Sequence, residues 1–113
     1  MFLLAKTDGL STIQTETDWT TARFLALADR WSEECRHLSS IRDMVLHPAY
    51  QQIIGMGPSM LLYILDELER HPDHWFWALR AITGGNSIRS DNQGRVREMT
   101  LDWLEWAVQR RLR

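Results

Sequence analysis

The stretch His47–Gly84, HPAYQQIIGMGPSMLLYILDELERHPDHWFWALRAITG, decides the fold. Pro48, Pro58 and Pro72 punctuate it. Proline has no backbone N–H and a fixed φ, so it ends the helix before it and suits the first turn of the next. The spacing predicts a helix over 48–54, a stop at Gly55 or Gly57, and a second helix over 58–70. His71-Pro72 ends that helix, and Asp73 caps a third running from His74 to about Thr83. Gly84-Gly85 closes it. Met60, Leu61, Leu62, Ile64, Leu65 and Leu68 make an apolar stripe wider than a coiled-coil seam, so the second helix is read as central. Asp66, Glu67, Glu69 and Arg70 form its wet face. Trp75, Phe76 and Trp77 are consecutive and point about 100° apart on a helix, so one core cannot take all three. At least one is expected to be partly exposed.

Upstream, Phe24, Leu27, Ala28, Trp31, Cys35 and Leu38 recur at steps of three and four. They predict a long helix starting near Thr17 or Asp18. Ser39 and Ser40 cap a short helix through Leu46, with Ile41, Met44 and Val45 as its buried face. Downstream, the polar loop Gly84–Gly94 leads to a last helix over about 93–111. That helix buries Val96, Met99, Trp103, Trp106 or Ala107, and Val108. No strand pair carries hairpin chemistry, so the fold class is all-α, a compact domain of five or six helices over residues 17–113. Residues 1–16 lack helical periodicity and read as a poorly ordered or extended segment.

Composition bounds the function. The 113 residues fit one domain, 44% apolar and 25% charged, both ordinary for a globular protein. Six tryptophans are many for this length, and tryptophan serves cores and interfaces alike. The net charge of −2 argues against a dedicated nucleic-acid binder, which carries a basic surplus on one face. Arg95–Arg113 is a local exception, with five arginines against three acids. Cations near a helix C-terminus suit its dipole, which is the preferred reading. The lone cysteine rules out an internal disulfide and fits a reducing cytoplasm. No apolar run approaches a membrane span, and the N-terminus does not read as a signal peptide. The sequence therefore reads as soluble and cytoplasmic, without membrane attachment.

HPAYQQIIGMG and HWFWALRAITG, with Phe24, Leu27, Ala28, Trp31, Glu34, Ser39-Ser40, Trp103 and Trp106 around them, resemble a group of small bacterial proteins frequent in cyanobacteria. The resemblance covers residues 19–106. That group has no assigned activity, so it lends no catalytic residues. A looser likeness runs through Gly55–Pro58, Leu62, Leu65, Leu68, Trp77-Ala78-Leu79 and Ile82–Gly84, and is similar to a HEAT repeat. It implies HEAT-like helix-pair packing and a protein-binding role.

Candidate chemistry is sparse. His71 and His74, with His47, Cys35 or Glu67, are the residues from which a metal site could be assembled. They lack the paired spacing of zinc motifs. The local alternative is that His47 and His71 end helices before proline and that His74 hydrogen-bonds at a helix start. Cys35 lies in the core stripe and reads as an inert thiol. No nucleophile elbow or phosphate-binding glycine loop occurs, so neither catalytic residue nor cofactor is assigned. The Leu-rich, acidic helix after GMGP argues against helix–turn–helix recognition of DNA.

These features point to a non-catalytic adaptor or regulator that binds a protein, with an antitoxin-like or mobile-element accessory role as an analogy. Tyr50, Trp75, Trp77 and Arg80 are the candidate partner-binding residues. A symmetric homodimer through exposed tryptophan is the other partner considered. The rival readings are a metal-dependent module using His47, His71 and His74, and a nucleic-acid contact through the Arg-rich last helix.

Overall fold

Pro48, Gly57 and Gly84 punctuate the chain where their backbone chemistry requires. The structure, a computed structural model, describes residues 19–113. Helix α1 covers 19–34 of these. It is followed by α2 (Ile41–Val45), α3 (Pro48–Gly55), α4 (Leu61–Arg70), α5 (Phe76–Thr83) and α6 (Val96–Gln109). Short 3₁₀ turns lie at Gly57–Met60 and Ser90–Asn92. The fold is all-α and compact, with no strand among the described residues. None of the helices is long and apolar enough to cross a membrane among the described residues. The Thr17 and Asp18 caps and the segment 1–16 lie outside the described residues.

The stripe of α1 is buried as its spacing predicts: Phe24, Leu27, Ala28 and Trp31 face the core, and Cys35 follows in the closing turn. Ser40 caps α2 by accepting from the Asp43 N–H. Val45 is buried and Met44 partly so, but Ile41 is 52% exposed, against the expectation that it joins the buried face. Ile41 is the first residue of α2, one turn from Val45 on the same face, at the edge of the core.

His47 caps α3. Pro48 has no N–H, so the first donor in need is that of Ala49, and it reaches the His47 ring at Nδ1, 3.0 Å away. Gly57 reverses the chain at φ +79°, a conformation that costs other residues about 1–2 kcal/mol. Residues 57–60 then wind as a 3₁₀ turn before α4 begins at Leu61. The expected helix from Pro58 is therefore two segments. Met60, Ile64, Leu65 and Leu68 are buried, whereas Leu62 is exposed.

Helix α5 starts at Phe76, two residues later than the sequence predicts. The Asp73 carboxylate accepts from the adjacent His74 N–H at 2.7 Å, and its carbonyl takes the Trp75 N–H. These bonds hold 73–75 as a turn. Gly84, at φ +77°, ends α5. Helix α5 packs on α3 and α4, and α4 also packs on α6.

Helix α6 buries Trp103 and Ala107, with Val96, Met99, Leu104 and Trp106 packed partly against the core. Val108 is exposed, contrary to its place in the expected stripe. The helix closes through Leu112 N–H to Ala107 O and Arg111 N–H to Val108 O. This pair of bonds is a Schellman motif. Arg111 stands at its left-handed position with φ 59°.

Candidate functional site

The centre of the molecule is aromatic, and it absorbs two of the four residues expected to meet a partner. Tyr50 is fully buried and Trp75 is 2% exposed. Their rings stack at 5.5 Å with an 11° interplanar angle. Trp31 lies 4.6 Å from Trp75 and 5.1 Å from Tyr50, and Phe24 sits 5.9 Å from Trp75. The Trp31 indole donates to Met44 O at 2.8 Å, which ties α1 to α2. Tyr50 and Trp75 thus hold α1, α3 and α5 together, and neither offers a surface. The reason for Tyr50 is a hydrogen bond across 28 positions. Its hydroxyl donates to His74 O and accepts from Ala78 N–H, both at 2.9 Å. Burial pushes its phenol far above the ordinary value, outweighing the Ala78 contact.

Trp77 and Arg80 remain at the surface. Trp77 is 52% exposed, and the Arg80 guanidinium lies over its ring, 5.6 Å from the centroid. One turn of α5 separates them, so the pair is set by helix geometry. Two depressions meet at this ridge. The first, about 250 Å³, is bounded by Trp77, Arg80 and the chain from Gly84 to Asn86. The second, about 150 Å³, has Ile41, Ile88 and Met99 on its apolar wall. Asn86 borders both. The loop that carries Asn86 is anchored, because Asp102 accepts from the Arg89 N–H and the Asn92 amide, each at 2.9 Å. Burial opposes ionisation of Asp102, but these two donors and the Arg89 charge hold its carboxyl below the usual range.

The sequence pointed to Trp77 through the three consecutive aromatics. It gave no sign that Ile41 shares a depression with Trp77, since α2 and α5 meet only through the tertiary fold.

The metal constellation is not assembled. Among the described residues no three His, Cys, Asp or Glu side chains are grouped to hold a metal ion. His47 uses both ring nitrogens: Nδ1 accepts from Ala49, and Nε2 lies 2.9 Å from Glu34 Oε1. The His47 contact is the main cause of a lowered Glu34 carboxyl pKa. His74 lies in the turn before α5, where its N–H donates to Asp73 and its carbonyl accepts from Tyr50. The Cys35 thiol is buried, and burial first, then Glu34 and Asp73, raise its pKa. That is the inverse of an activated nucleophile. Beside Trp31 and Trp75 lies an acidic groove of about 380 Å³ with Asp29, Glu67 and Asp73 on its walls.

Among the arginines of residues 95–113, Arg97 and Arg111 are exposed and the other three have partners. Arg95 pairs with Glu98, Arg113 with Glu69, and Arg110 stacks on Trp106. No family model, curated protein or solved structure matches this chain.

Proposed function

We propose that this chain is a non-catalytic protein-binding adaptor or regulator that engages its partner through Trp77 and Arg80. The observation that carries the reading is the half-exposed Trp77, stacked under Arg80 between two depressions. Tryptophan and arginine dominate interface energetics because each combines a large apolar area with a directed polar group. Exposed apolar side chains scattered singly are ordinary. Here Ile41 and Trp77 share one depression, so the exposure is contiguous. The contacts between α4 and α5 are in keeping with a HEAT-like pair, a class that binds proteins. An antitoxin-like or mobile-element accessory role fits the small helical build and is drawn by fold-level analogy.

Site-specific photocrosslinking in the native host tests this reading. A photoreactive residue at Ala81, on the rim of the first depression, traps a discrete protein. The same residue at Leu101, an exposed position of α6, traps none. Equal trapping at both positions, or none at Ala81, overturns the proposal.

A further inference from the structure

We infer that the Trp77–Arg80 surface takes a partner segment in which a carboxylate side chain stands next to an apolar anchor, an acidic apolar peptide. The inference rests on the protein-binding reading above and specifies its ligand.

Charge complementarity carries it. The chain has 15 acidic residues and a net charge of −2. Among the described residues, however, neither depression at the Trp77–Arg80 ridge is lined by an aspartate or glutamate. Arg80 is exposed and joins none of the ion pairs among the described residues. Six other arginines, Arg30, Arg36, Arg70, Arg89, Arg95 and Arg113, each meet a carboxylate, and among the described residues Arg80 is the one arginine that lines either depression.

A second donor converges on the same place. The Asn86 side-chain oxygen accepts from Ile88 N–H, which orients its amide. The amide nitrogen has no acceptor among the described residues. The guanidinium fork of Arg80 matches a carboxylate in a bidentate arrangement, and the Asn86 amide supplies one more donor. The stacked Trp77 ring limits the motion of Arg80, which lowers the entropy lost on binding. Next to this donor pair, the smaller depression presents Ile41, Ile88 and Met99. Its volume of about 150 Å³ suits one leucine- or methionine-sized side chain. A second copy docked isologously with the axis at Arg80 would set Arg80 against Arg80, an unfavourable match. A single arginine is also too little charge for a nucleic-acid backbone.

The test is selection of a displayed random-peptide library on the wild-type protein, with counter-selection on Trp77→Ala. Selected peptides carry aspartate or glutamate beside a leucine, methionine or aromatic residue. On Arg80→Glu the preference turns to lysine or arginine at that position. A synthetic selected peptide binds Arg80→Gln about thirtyfold more weakly than wild type. Both substituted positions are exposed to solvent in the native chain, and an unchanged unfolding midpoint confirms folding. Peptides without acidic preference, no enrichment, or an unaltered preference on Arg80→Glu each overturn the inference. So does a self-association that Trp77→Ala abolishes, or binding of a mixed-sequence oligonucleotide that the peptide does not displace. If crosslinking at Ala81 traps a protein while the library shows no acidic preference, the inference fails and the protein-binding reading stands.

Discussion

Tyr50 caps a helix to which it does not belong: its hydroxyl, from α3, accepts the Ala78 N–H of α5 at 2.9 Å. Ala78 is the third residue of α5, and the early N–H groups of a helix have no intrahelical partner. Trp75, at the N-cap position, has no side-chain cap bond. Tyr50 supplies from another helix what serine or aspartate normally supplies locally. It also donates to His74 O. One side chain thereby fixes the angle at which α5 leaves the 73–75 turn, and with it the place of Trp77 and Arg80.

Tyr50→Phe keeps the ring stacked on Trp75 and removes only the hydroxyl. The Ala78 N–H and His74 carbonyl are then left buried without a partner. The expected loss is about 1–3 kcal/mol. Urea unfolding checks it, with a lower midpoint and an unchanged slope.

The same phenol predicts alkaline sensitivity. Its folded pKa is raised by burial. The neutral form is therefore favoured in the native state, and the contribution is fully present below the unfolded value of about 10. It is lost as pH rises above that value toward the folded one. Unfolding followed from about pH 8 to about pH 11, roughly two units below to one unit above the unfolded pKa, shows stability falling at the alkaline end. Tyr50→Phe flattens that fall.

Trp75 and Trp77 are two positions apart and differ in everything that determines cost. Trp75→Ala empties the aromatic centre and loses about 3–5 kcal/mol. Trp77→Ala changes stability by no more than about 0.5 kcal/mol. Thermal melts of the two variants side by side decide whether the aromatic run divides as described.

Arg111→Gly is expected to stabilise the chain. Arg111 occupies a left-handed position in the Schellman motif, and glycine meets no steric cost there. The gain is about 0.5–1 kcal/mol. A higher melting temperature reports it, and a lower one shows that the Arg111 side chain has a stabilising contact.

The helices were legible because their signals are local. Pro48 and Gly84 act through their own φ, and Phe24, Leu27, Ala28 and Trp31 through their spacing. Local signals mislead where tertiary contacts decide. Ile41 and Val108 belong to apolar patterns, yet among the described residues both stand exposed. Asp73 has the chemistry of a cap for a helix from His74, but its bonds to His74 and Trp75 close a turn instead. The sequence leaves Tyr50 open between packing and a partner contact, because its hydrogen-bond partner is 28 residues away, beyond any periodicity. Of the candidate site, Trp77 and Arg80 were legible from α5 alone. Ile41 and Asn86 were not, because each reaches the ridge from a different segment.

The most direct test of the central claim is affinity purification from the native host with tagged wild-type protein, Trp77→Ala and a Leu101→Ala control. The account predicts a stoichiometric protein partner retained by wild type and Leu101→Ala and lost with Trp77→Ala, at unchanged melting temperature. Retention of the same partner by Trp77→Ala would contradict it.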